Sequence, residues 1–97
     1  MTSIVIVLPK LEDAGSIKKI LARSGHAVTA ICSTGAQAIS KTDELNDGIV
    51  ICSYKLPDMI FTELRENLPE NFEVLLLAHL HLLFSNIEFS YFYYILE

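Results

Sequence analysis

The chain has 97 residues, 52% of them hydrophobic and 20% charged, and a formal net charge of −5 at neutral pH. That length holds one domain, and the composition excludes intrinsic disorder because it supplies enough apolar surface to offset the cost of ordering the chain. With 12 acidic against 7 basic residues and no lysine or arginine after Arg65, it lacks the clustered cationic face that nucleic-acid binding needs. Lys18, Lys19 and Arg23 fall at helical spacing and read as a solvated face. No apolar run reaches the ~18 residues of a membrane span, and no basic leader precedes the first apolar run. A cytoplasmic domain without membrane contact is expected.

"SIVIVL" (3–8) is a continuous β-branched run, the pattern of a strand covered on both faces, and Pro9 ends it. Leu11, Ala14, Ile17, Ile20 and Leu21 follow a 3.6-residue period, predicting a helix from Leu11 to Ser24 with those residues inward. Glu12 and Asp13 suit its positive end, Lys18, Lys19 and Arg23 its negative end, and Gly25 is the stop. "HAVTAIC" (26–32) is a second strand. Ser33 or Thr34 caps a helix through "GAQAISKTDEL", with Ala36, Ile39 and Leu45 inward. After the turn "NDG", "GIVICS" (48–53) is a third strand. "MIFTELRENL" (59–68) predicts a short helix with Ile60, Leu64 and Leu68 on one side, and "FEVLLLA" (72–78) a fourth strand. In the tail, "IEFSYFYYIL" satisfies both a fifth strand and an aromatic helix. Strands alternating with helices imply an α/β fold: a parallel sheet with helices on both faces, and ligands at the carboxyl ends of its strands.

Residues 3–78 resemble the receiver domain of two-component response regulators. "STGAQAI" is similar to the small-Gly-x-x-Ala segment that opens that family's second helix, and "ICSYKLPDM" to its third strand and Leu-Pro-Asp-Met turn. The combination with "ELRENLP" and "FEVLLLA" looks most like the receiver half of an ANTAR-type RNA-binding antiterminator regulator. The resemblance implies a CheY-like, flavodoxin-like sheet of order 2-1-3-4-5. The family's final helix and its helical RNA-binding module have no counterpart in the tail, the mismatch that truncation or a changed reading frame would produce.

Carried over residue by residue, the family's chemistry is absent. The acidic pair that holds Mg²⁺ falls on Leu8 and Pro9, the phosphorylated aspartate on Ser53, and the Thr or Ser that reads the phosphate on Ala78. The lysine expected after the fifth strand is missing, since the chain has none beyond Lys55. Mg²⁺ wants carboxylate oxygens in octahedral geometry, and phosphoryl transfer relies on positioned charge; these residues supply neither. Ser53 has no base beside it. No metal, cofactor or catalytic role is therefore expected. The implied function is a phosphorylation-independent receiver-like signalling domain acting by protein–protein contact.

An alternative is an α/β module that binds a small molecule or anion near Ser53 through Lys10 and Lys55. A catalytic domain using Cys52 or Ser53 is a third reading, but Cys52 lies in an apolar strand where cysteine acts as a small hydrophobe. In the order 2-1-3-4-5, Cys32 and Cys52 end strands on either side of the first and stand ~10 Å apart, too far for a disulfide. His79 and His81 lack the further ligands that a metal site needs. The aromatic cluster Phe89, Tyr91, Phe92, Tyr93 and Tyr94 on an edge strand would leave an apolar patch. That predicts a homodimer or strand exchange through residues 86–96.

Overall fold

The computed structural model describes residues 3–79 and 91–96, with the backbone alone for 78, 79 and 91–96. Four strands, β1 (Ser3–Val7), β2 (Ala30–Cys32), β3 (Gly48–Cys52) and β4 (Phe72–His79), form a parallel sheet in the order β2-β1-β3-β4. Three helices connect them: α1 (Leu11–Arg23), α2 (Gly35–Asp43) and α3 (Phe61–Asn67). The expected α/β class, parallel core and helices on both faces are all present. Among the described residues, no helix is long and apolar enough to cross a membrane.

The two faces of the sheet follow from the period-2 alternation of strand side chains. On one face Val5, Val7, Cys32, Val50, Cys52, Phe72 and Val74 pack with Ala38 of α2 and with Phe61 and Leu64 of α3. On the other, Ile6 and Leu8 pack with Ala14 and Ile17 of α1, and Leu21, Val28, Ile31 and Leu77 close the cluster. Val5, Ile6 and Val7 are each 0% exposed, the burial on both faces that the unbroken "IVIV" run anticipates. α1 ends where Gly25 takes φ 86°. The His26 N–H there donates to the Leu21 carbonyl and the Gly25 N–H to that of Ala22, the bond pair of a Schellman turn.

Several boundaries differ from the sequence reading, each for a local reason. Leu11, expected inward, is 70% exposed as the first residue of α1. β2 begins at Ala30 rather than His26. The Thr29 N–H donates to the Ile4 carbonyl (2.8 Å) and its hydroxyl accepts from the Ile4 N–H (3.2 Å), so a side chain takes a backbone partner's place just before the strand. In α2, Ala36 is exposed, and Gly35, Ala38 and Thr42 face inward. α3 starts at Phe61, and Phe61 replaces Ile60 on the buried side. Ile60 is held extended (φ −96°, ψ 167°) and bridged antiparallel to Lys55, which shifts the helical frame by one residue.

The backbone of β5 (Tyr91–Leu96) lies beside β4 but runs antiparallel to it, with Val74 opposite Leu96 and His79 opposite Tyr91. The expected order holds for the parallel core β2-β1-β3-β4; what is corrected is the direction of β5, which the sequence reading had parallel. Residues 80–90, all that join β4 to β5, are shorter than the dozen or more residues of a typical parallel crossover.

Gly48 opens β3 at φ 156°, and a Cβ there would collide with the backbone carbonyl of Ser3 while also meeting the Phe72 ring. The backbone approach of β1 to β3 therefore requires glycine at this position. Replacing it, Gly48→Ala, should cost about 2 kcal/mol or more. The expected readout is a lower urea midpoint at unchanged slope; an unchanged midpoint would show that the strands can separate there at no cost.

Candidate functional site

The carboxyl edge of the parallel sheet is the place where such folds hold ligands, and strand register decides what meets there. Val7 is opposite Cys32 on one side and Cys52 on the other, and Cys52 is opposite Leu76. One residue further along, Leu8, Ser53 and Leu77 form the next row, with Ala78 just beyond it. The backbone thus brings together the residues that the sequence placed at the site. The Ser53 N–H donates to the Val7 carbonyl (3.3 Å) and the Leu8 N–H to that of Cys32 (3.0 Å), extending the ladder to this row.

The side chains supply hydrocarbon where a cation site would need oxygen. Leu8 is 4% exposed and packs among Ile6, Ala14, Ile17 and Leu77. Pro9 is exposed and Lys10, at the N-cap of α1, makes no side-chain cap. The half-buried Ser53 hydroxyl donates to the Lys55 carbonyl (3.1 Å), a local turn bond that occupies its proton. Lys10 and Lys55 are both exposed and stand on separate loops. Ala78 belongs to β4 and is opposite Phe92 in the register.

His79 is the last residue of β4, whereas His81 and Phe89 lie outside the described residues. Tyr91, Phe92, Tyr93 and Tyr94 all lie within β5. Among the described residues, no three or more His, Cys, Asp or Glu side chains converge as metal ligands.

Both cysteines are free and buried, on either side of Val7 and so about two strand spacings, ~10 Å, apart. Burial pushes the Cys52 thiol up to about 12. It also raises that of Cys32, with Lys41 opposing the shift. Neither is poised as a nucleophile, because the reactive form is the thiolate.

The sequence reading passed over Asp58, whose side chain accepts two backbone hydrogen bonds at this edge. Its carboxylate accepts from the Gly35 N–H (2.8 Å) and the Ala36 N–H (3.0 Å), capping α2 from a different loop. These two bonds hold its carboxyl below the usual carboxylate range, Gly35 first and Ala36 second. This contribution is present above about pH 4 and is lost as pH falls through the lowered folded value. Thr34 completes the cap by accepting from the Gln37 N–H (3.2 Å). Met59 lies against Gly35, so that a Cβ there would overlap its thioether. The "LPDM" turn therefore docks on the start of α2. A carboxylate in a turn and a glycine opening a helix were visible signals, but their pairing across 23 residues was not.

A separate open groove of about 570 Å³ lies between β2 and α2, lined by Ile31, Cys32, Ala36, Gln37 and Ser40, with Lys41 and Glu44 also on its lining. Lys41 and Glu44 form an ion pair across 3.7 Å. None of Leu8, Lys10, Ser53 or Lys55 contributes to this groove.

No family model, curated protein or solved structure matches the chain.

The buried Cys52 thiol has a consequence for alkaline stability. In the unfolded chain it ionises near pH 8.5, whereas the folded thiol keeps its proton to about 12. The folded state therefore binds more protons between those values, and stability falls as pH rises. The contribution is at most about 1.4 kcal/mol per pH unit. Urea midpoints from pH 8 to 10.5 should decline more steeply for the native chain than for Cys52→Ala; equal slopes would contradict the raised thiol.

Proposed function

We propose that the chain is a receiver-like signalling domain that works without phosphorylation, through contacts with a protein partner or a second copy of itself. The observation that carries this reading is the burial of Leu8 at the position matching the family's Mg²⁺-binding acidic pair. A site in working order would place carboxylate oxygens there, whereas this chain seals the space with packed hydrocarbon. The core order β2-β1-β3-β4, with α1 on one face and α2 and α3 on the other, supports the comparison. Within the same reading, β5 takes the edge position and residues 86–96 mediate self-association.

The proposed biological role is control of transcription antitermination through an RNA-binding output module. Its support is the resemblance of "GIVICSYKLPDM" and its neighbours to ANTAR-type regulators. The alternative, an anion-binding module, is less well supported because the Ser53 hydroxyl is already committed to the Lys55 carbonyl.

Titration with Mg²⁺ and beryllofluoride, followed by amide NMR, tests the reading. No saturable, Mg²⁺-dependent shift is expected at Leu8, Ser53 or Leu77. Such shifts would refute the loss of phosphate chemistry, and metal-independent shifts with anions alone would favour the binding module. Leu8→Asp should destabilise the fold by about 3 kcal/mol, because it leaves a carboxylate buried without a partner. Thermal melts with and without 10 mM-scale Mg²⁺ read this; a neutral substitution rescued by Mg²⁺ would mean the site retains a metal pocket.

A further inference from the structure

The sheet ends on one side at β2, and this edge carries none of the usual guards. From Ala27 to Thr34 the chain has no charged residue and no proline, whereas exposed edges are ordinarily blunted by one or the other. The Leu8 N–H donates to the Cys32 carbonyl (3.0 Å), so Cys32 turns its backbone groups toward β1. Backbone groups of successive strand residues alternate in direction. Ile31 therefore turns its N–H and C=O to the open side, where β2 has no neighbouring strand.

α2 is seated on β1 and β2 through Gly35, Ala38 and Thr42. Toward the edge it presents Ala36, Gln37 and Ser40, followed by Lys41 and Glu44, and these line the open groove together with β2. The groove gives room for the side chains of a strand laid beside β2. The charged residues on its lining are Lys41 and Glu44, one of each sign, with side chains 39% and 64% exposed. Such a stripe is complementary to itself when turned end for end, as a two-fold contact requires.

We propose that two copies of the chain pair antiparallel through β2, about a two-fold axis at Ile31, so that the sheet of one copy continues into the other. Each Ile31 N–H donates to the Ile31 carbonyl of the other copy. Lys41 of one copy faces Glu44 of the other, and the reverse holds across the axis. Three paired residues and a short helical stripe make a small contact, so the dimer is reversible. The pairing uses the opposite edge of the sheet from β5 and stands or falls independently of the signalling reading.

Sedimentation velocity of the full chain, from low micromolar to near-millimolar concentration, should show a monomer–dimer equilibrium. Lys41→Glu or Glu44→Lys should each weaken the dimer about tenfold by setting like charges opposite one another. The fold should be little affected, because the intramolecular pair is exposed. An equimolar mixture of the two variants should regain the native affinity, since each supplies the sign the other lacks. The Ile31 amide should exchange more slowly as the dimer fraction rises. A chain that stays monomeric throughout would leave this edge to an extended segment of another protein and overturn the pairing. A dimer indifferent to both charge reversals, or one that leaves Ile31 exchange unchanged, would lie elsewhere, as at residues 86–96, and would also overturn it.

Discussion

β1 has no face to give to water, and the rest of the molecule is arranged around that constraint. Val5, Ile6 and Val7 are completely buried, so the strand must have a neighbour on each edge and a helix over each face. β2 and β3 take the edges in register, meeting at Val7 through Cys32 and Cys52. Alternation then divides the core into two clusters, with α1 over one and α2 and α3 over the other. The close approach of β1 to β3 leaves room only for glycine at position 48. Continuing the same burial one residue past the strand places Leu8 in the core, and this makes that part of the carboxyl edge hydrocarbon.

The turn after β3 is held by local bonds and ties two parts of the fold together. The Ser53 hydroxyl bonds within its own turn, to the Lys55 carbonyl, and Lys10 and Lys55 stand exposed on separate loops. Leu56 and Asp58 nevertheless do structural work: one anchors the loop in the core and the other caps a helix from a distance. Capping in trans ties the loop to α2 without burying a charge, because the carboxylate remains exposed to solvent. Together with Met59 against Gly35, this contact satisfies the first N–H groups of α2 and stabilises its amino end.

Much of the fold was legible in the residues because hydrophobic periodicity is a local property. The unbroken "SIVIV" and "GIVIC" runs, the stop at Gly25, the cap at Thr34 and the separation of the two cysteines all follow from short-range pattern and strand spacing. Errors arose where a long-range partner overrode a local preference. Thr29 used its hydroxyl on Ile4 and delayed β2; Lys55 bridged Ile60 and moved the start of α3. For the candidate site, the positions of Leu8 and Ser53 just after β1 and β3 were expected from the strand ends. Asp58 was missed because its partners are backbone N–H groups, which carry no sequence signature.

By itself the sequence determined the alternation of strands and helices and the two-faced parallel core. These depend on which residues are present and how often apolar ones recur. Only the tertiary structure decided that Leu8 is packed rather than merely uncharged, that β5 runs antiparallel to β4, and that Asp58 holds α2. The reason is physical: burial, strand direction and capping in trans are relations between distant segments, set when the chain closes its core around β1.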